Sequence, residues 1–365
     1  SLMNELGNKA ALNISVNTNG FSLNSFAEKY NLKKEVLNHL VSDLASNKGK
    51  AIIDAGNSLP ENVHIAVNLL NEALGNSAMF RTDSSVNTLV NNSSLQDLEL
   101  LVKNMQSGNV GVVVHLDCNP VYHFANDLGY KEALKKVGLV VSLSERENET
   151  THFSNFVLPI NHNFESWGDA KVRTGSISLQ QPVIAPLYDT RQAEAILLNW
   201  ISGDASAYDE STYHKYLMSN WETNIYPSLS SKLDFKRFWF NSLHDGVVYS
   251  KEKSESVGTF NIASTSEIKP KEVSNNFSLH IKESYAVRDG RFANNGWLQE
   301  LPHPVSKIVW DNYASISPKT ANDLGLQSND LVEISTGKTA IQIPVFIQPG
   351  ASDNSITIET GYGRE

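Results

Sequence analysis

The chain has one cysteine in 365 residues, Cys118. That excludes an internal disulfide framework and any four-cysteine zinc or iron–sulfur site built by this chain alone. It has no run of the roughly 18 apolar residues that a membrane helix needs, and no basic, apolar, small-residue leader opens it. Positive charge is scarce: 30 Lys and Arg stand against 40 Asp and Glu, a formal net charge of −10. A nucleic-acid surface is not expected, because phosphate binding needs a concentration of Lys and Arg that never occurs here. No G-x-G-x-x-G follows a strand pattern, and Walker A and H-E-x-x-H motifs are missing. Ordinary dinucleotide dehydrogenases, nucleotide hydrolases and zinc proteases thereby lose their main support.

What is present suits globular packing. The hydrophobic fraction is 40%, and the length exceeds one ordinary core, so two domains are expected. The opening Ser1-Leu2 and the closing GYGRE run read as the ends of an excised piece.

The first half alternates helical and extended patterns. Leu37, Leu40, Val41 and Leu44 repeat at helical spacing, and 50–54 (KAIID) reads as a short buried strand. A second helix follows Pro60, with Val63, Val67, Leu70 and Leu74 on one stripe and Gly75 as its stop. Ser94 and Asp97 form a capping box ahead of Leu95, Leu98, Leu101, Val102 and Met105, and Gly108 ends that helix. The run 110–116 (VGVVVHL) is a continuous apolar strand of the kind covered on both faces. A helix over 126–137, a strand over 138–143, another over 156–160 and a helix over 190–201 complete the pattern. Strands separated by helices imply a doubly wound, mostly parallel α/β sheet within 1–203. The stretch 204–275 is dense in aromatics and reads as a packed helical or irregular connector. From 276 to 365, short alternating segments (277–281, 331–335, 339–345, 355–359) punctuated by Gly and Pro suggest a small β-barrel.

In an open parallel sheet, ligands sit beyond the carboxyl ends of the strands. The loop Asp117-Cys118-Asn119-Pro120 occupies such a place, although Asn and Pro are also ordinary turn residues. A metal reading of His115, Asp117, Cys118 and His123 is disfavoured, because strand alternation points Cys118 away from the other two of the run. The second polar cluster is His162, Glu165, Asp169, Lys171 and Arg173, where a hydrogen-bonded turn network is favoured over an acid–base pair. No serine sits in a nucleophile elbow, and no catalytic residue is assigned.

Several runs carry a family resemblance. The stretch 316–335 (ISPKTANDLGLQSNDLVEIS), with Gly337 and 343–350 (IPVFIQPG), resembles the C-terminal molybdopterin-dinucleotide-binding barrel of the molybdopterin oxidoreductases. HLDCNP at 115–120 resembles that family's glycine-rich Asn-Pro loop, and 163–187 resembles the segment after the last strands of its third domain. The runs at 56–76, 165–170 (ESWGDA) and 289–314 are similar to the large iron–sulfur subunit of alternative complex III, a quinol:electron-acceptor oxidoreductase. The resemblance implies a doubly wound sheet, a helical connector and a C-terminal β-barrel. It also implies a vestigial pterin-dinucleotide cleft formed by Asn119, Pro120, Glu165, Gly168, Asp169, Arg291, Asn294 and Asn295.

Two departures bear on that cleft. Catalytic relatives carry Asn-x-Glu-Gly-Arg where 171–176 here reads KVRTGS, and Arg then His and Thr or Ser where 291–297 reads RFANNGW. By resemblance the chain is then the C-terminal portion of a subunit in a quinol-oxidising respiratory complex, a structural half without its own redox centre. Molybdopterin dinucleotide is the family cofactor, and iron–sulfur clusters are expected in a missing part of the parent. The implied partners are other subunits of a membrane-bound complex, and the implied location is the periplasmic face of a bacterial inner membrane, peripherally. The alternative is the cofactor-binding part of a true molybdenum oxidoreductase of the polysulfide or thiosulfate reductase kind. An unrelated small-molecule binder on the same kind of sheet is the third reading.

Overall fold

The structure, a computed structural model, describes residues 1–10, 20–57, 59–80, 92–204, 206, 208–229, 231–250, 260–261, 277–337 and 339–364. Parts of the expected connector, at 251–259 and 262–275, and the expected boundary at 276 lie outside them. The chain packs as two compact units, Ser1–Thr88 with Asp169–Gln180 and Asn220–Glu272, and Leu89–Gly168 with Gln181–Ser219 and Val273–Glu365.

In the second unit, β1 (Val112–Leu116), β2 (Leu139–Ser144) and β3 (Phe156–Pro159) form a parallel sheet in the order β1-β2-β3. Alternation sends Val140 to one face and Val141 and Leu143 to the other. The first face is covered by helices Leu95–Gln106 and Tyr130–Leu134, through Val102, Met105, Ala133 and Leu134. The second is covered by helix Ala193–Ser202 through Ile196, with Ile160. The capping box is present: Ser94 accepts from the Asp97 amide, and Asp97 accepts from the Ser94 amide. The expected helix over 126–137 is broken into a short turn and helix Tyr130–Leu134, because Gly129 adopts a φ of 72°.

One expectation fails at β1. The helix that covers the second face packs on β2 and β3, so Val112, Val114 and Leu116, all on that face of β1, remain 54%, 40% and 49% exposed. The apolar run reads as a doubly covered strand, but only the face bearing Val113 and His115 is buried against helices.

The first unit buries Leu6, Leu23, Val41, Leu70 and Leu74 among helices Leu2–Ala10, Leu23–Lys29, Lys34–Ser46 and Glu61–Ala73. The expected strand at 50–54 is not formed. Asn71, 2% exposed, donates to the Ile53 carbonyl at 2.7 Å and accepts from its amide at 3.0 Å. One carboxamide thus takes both backbone groups that a neighbouring strand would have taken. A further sheet, β4 (Gly168–Arg173), β5 (Ser176–Gln180) and β6 (Val247–Tyr249), has the order β4-β5-β6. In the expected connector, helix Thr212–Asn220 runs into a π-turn at Trp221–Ile225, and helix Phe235–Asp245 is capped by Asp234.

The C-terminal stretch forms β7 (Ser278–Glu283), β8 (Ala314–Ile316), β9 (Leu331–Ser335), β10 (Ala340–Ile347) and β11 (Ser355–Thr360). Their order is β7-β11-β8-β10-β9, with parallel and antiparallel pairs mixed. Helix Pro318–Leu324 is capped by Ser317 and stopped by Gly325 at a φ of 67°. The expected barrel is an open sheet among the described residues, since edge strands β7 and β9 do not pair with each other. Both edges line one apolar cavity of about 660 Å³, with Leu279 on one side and Val332 and Ile334 on the other. The sheet is curled enough for its edges to share a cavity, and alternating apolar residues alone do not close that seam.

Candidate functional site

Asp117, at a φ of 43°, turns the chain away from β1 and donates its amide to Leu143 O at 2.8 Å. Asn119 follows as the cap of the short helix Pro120–His123 and is buried, as is Pro120. Its carboxamide is engaged at both ends. Oδ1 accepts from the Thr150 amide at 3.1 Å and the Thr150 hydroxyl at 2.7 Å, while Nδ2 donates to Glu149 Oε2 at 2.6 Å. Glu149 and Thr150 lie beyond the carboxyl end of β2, so the loops after two neighbouring strands are sewn together by side chains.

Glu149 is then met from the C-terminal stretch. Arg364 donates through Nε at 2.6 Å to one carboxylate oxygen and through Nη2 at 2.9 Å to the other, a two-pronged pair with side chains only 19% and 9% exposed. Its third donor, Nη1, reaches Gly290 O at 2.6 Å, and its guanidinium lies 4.8 Å from the centre of the Tyr122 ring. Tyr122 donates to Tyr362 O at 2.8 Å. Gly290, at a φ of 93°, packs so closely that a Cβ there would stand 2.8 Å from the Tyr122 ring. Only glycine fits that approach.

Asp289 and Gly290, just ahead of the expected Arg291, Asn294 and Asn295, thus stand against Tyr122 and His123 of the short helix after Asn119. His123 stands 3.9 Å from Asp289. Arg291 is turned onto Asp289, with Nε at 2.9 Å and Nη2 at 2.7 Å from its two oxygens. Those hydrogen bonds from Arg291 are the main reason the Asp289 carboxyl is held down at about 2. Asn295 caps the short helix Gly296–Gln299, and Asn294 is exposed.

Glu165 belongs to a separate network after β3. Its two oxygens accept from the Leu187 and His162 amides, each at 2.9 Å, and these bonds, Leu187's first, lower its pKa. Gln192 bonds both the amide and the carbonyl of Trp167, and the Trp167 ring stacks on His214 at 4.0 Å. Gly168 opens β4, and Asp169 accepts from the Trp221 indole at 2.8 Å.

His115 and Cys118 part company as alternation requires. His115 is buried between Ser142, 3.1 Å from Nδ1, and the Tyr130 hydroxyl, 2.8 Å from Nε2. Burial lowers its pKa and pushes that of Tyr130 up to about 12. Cys118 is an exposed residue with a free thiol, whose pKa is raised chiefly by partial desolvation of the sulfur. Among the described residues no three His, Cys, Asp or Glu side chains gather as metal ligands, and no helix is long and apolar enough to cross a membrane.

Glu149, Thr150, Tyr122, Gly290 and Arg364 were missed by sequence reasoning. The position of Glu149-Thr150 just after β2 was a usable signal, whereas nothing local marks Arg364. Chemically the site ties its donors and acceptors to one another, with Glu149 paired to Arg364 and Asp289 to Arg291.

Comparison with known proteins agrees with the resemblance its motifs carry: in sequence the chain is similar to a molybdopterin-binding-like subunit. Over 288 residues it is 23% identical to the menaquinone reductase molybdopterin-binding-like subunit of Nitratidesulfovibrio vulgaris, an alignment covering 73% of this chain and 38% of that protein. In fold it is similar to acetylene hydratase from Pelobacter acetylenicus, with a TM-score of 0.53 at 17% identity over 73% of this chain and 39% of that one. The chain thus spans under two-fifths of the length of either. No family model matches it.

Proposed function

We infer that the chain is the C-terminal portion of a molybdopterin-oxidoreductase-like subunit in a quinone-linked electron-transfer complex, and that it serves there as a structural half without a redox centre of its own. In this reading 1–203, 204–275 and 276–365 are its successive segments. The quinol-oxidising role and the periplasmic, peripheral setting follow the resemblance to alternative complex III. The similarity to a menaquinone reductase subunit supports the quinone link and the presence of partner subunits.

The observation that carries the reading is the Asn119 carboxamide, bonded at both ends within the protein and sealed behind the Glu149–Arg364 pair. A pterin dinucleotide brings a diphosphate and a polar purine, which need several aimed donors when removed from water. The residues expected to supply or position them do not fit. Asn119 is committed to Glu149 and Thr150, Arg291 to Asp289, and Asn295 to a helix end. Glu165 and Asp169 already accept from an amide pair and an indole. Binding the dinucleotide here would mean breaking these bonds first, and the buried one from Asn119 to the Glu149 carboxylate is worth about 1.5–3 kcal/mol.

The test is elemental analysis of the intact parent subunit purified from a host that makes molybdopterin. The expected result is iron, from clusters carried elsewhere in the parent, with no stoichiometric molybdenum or tungsten. A stoichiometric content of either metal would replace this reading with the true molybdenum oxidoreductase.

A further inference from the structure

The C-terminal sheet ends on both sides in strands that lack a second neighbour: among the described residues β7 pairs only with β11, and β9 only with β10. Each therefore shows a row of amides and carbonyls along one side, a template for a further strand. The two edges run the same way. β7 is parallel to β11, β11 antiparallel to β8, β8 parallel to β10, and β10 antiparallel to β9. A single strand running opposite to both edges can pair antiparallel with each, which is the more stable pairing.

What lies between the edges narrows the occupant. The cavity of about 660 Å³ is walled by Leu279 of β7, by Val332 and Ile334 of β9, and by Ile316, Leu326 and Ile356 behind them. Protein interiors leave few voids larger than a water molecule, and aliphatic walls offer water no hydrogen bonds. A small apolar molecule would fill that space but leave both backbone rows bare. A second copy of the chain, paired edge to edge, would cover the rows but leave the cavity empty. An extended segment with apolar residues at every second position meets both demands. The proteins that this chain resembles have length to spare for such a segment, since it spans 38% of one and 39% of the other.

We propose that a strand from the part of the parent subunit outside this chain inserts between β7 and β9, antiparallel to both, and fills the cavity with its alternate apolar side chains. The proposal rests on the reading of the chain as a portion of a longer subunit, but not on whether that subunit holds molybdenum. The experiment takes the intact parent through two measurements. Hydrogen exchange followed by mass spectrometry should find β7 and β9 as slow as the interior strands β10 and β11. A diazirine analogue of leucine, placed singly at Leu279 and at Ile334, should on irradiation give adducts from both positions to one common run of sequence outside 1–365. Fast exchange of half the amides of either edge strand, or the lack of any adduct outside 1–365, would overturn the proposal, as would adducts that join two copies or retain a small molecule. A parent that holds molybdenum yet gives these adducts would overturn only the earlier reading, and a molybdenum-free parent without them only this one.

Discussion

Removing the Arg364 guanidinium is the sharpest test of the network around Asn119. In Arg364→Ala the Glu149 side chain, 9% exposed, keeps the Asn119 amide but loses its counter-ion and two hydrogen bonds, and Gly290 O loses a third. Breaking a buried pair from one side costs about 3–5 kcal/mol, whereas an exposed pair is worth roughly 0–1. For a unit of roughly 200 residues each kcal/mol moves the midpoint by about 2–4 °C, so the variant should melt about 6–20 °C lower. The loss should shrink near pH 5. A buried carboxyl without its counter-ion takes up a proton, the native state then binds more protons than the unfolded one, and stability falls as pH rises. Pairing Arg364→Met with Glu149→Gln should restore most of the loss, because no charge is left unmatched. Urea and thermal unfolding followed by circular dichroism measure both effects. A single variant within 1 kcal/mol of the parent, or a double variant as damaged as the single, would refute the reasoning.

Three further outcomes are expected. Asn71→Ala should cost about 1–3 kcal/mol through the two Ile53 backbone groups it strands, and amide exchange at Ile53 should speed up before that of the helices around it. Ser94→Ala should cost about 1 kcal/mol by opening the capping box, with the loss read from urea midpoints. His115 has a folded pKa lowered from 6.5 by burial, so the unfolded chain binds the extra proton and stability drops as pH falls from 7 toward 5. His115→Gln should flatten that slope, and an unchanged slope would assign the pH dependence to other groups.

Much of the fold was legible because its signals are local. The capping box at Ser94 and Asp97, the stops at Gly75 and Gly325, the Ser317 cap and the strand Leu331–Ser335 all depend on neighbours a few residues apart. The failures came from distance. KAIID has a strand's composition, but Asn71, 18 positions on, takes the Ile53 backbone. The run at β1 looks doubly covered because hydrophobicity does not reveal which strand a later helix reaches. At the site the strand-end rule found Asn119, but its partners lie 30 and 31 positions away, and the arginine that seals them lies 215 from Glu149.

That last separation sets a clock on biosynthesis. Ribosomes add about 5–20 residues per second, so the guanidinium of Arg364 is made about 10–40 s after the carboxylate it will meet. Throughout that interval the nascent three-stranded sheet carries an acid whose counter-charge has not yet been polymerised, and the loops after β1 and β2 have only each other to hold them. Translation speed over 150–364 therefore bears on yield: slow codons late in this window prolong the exposure of that loop pair to proteases, and faster ones shorten it.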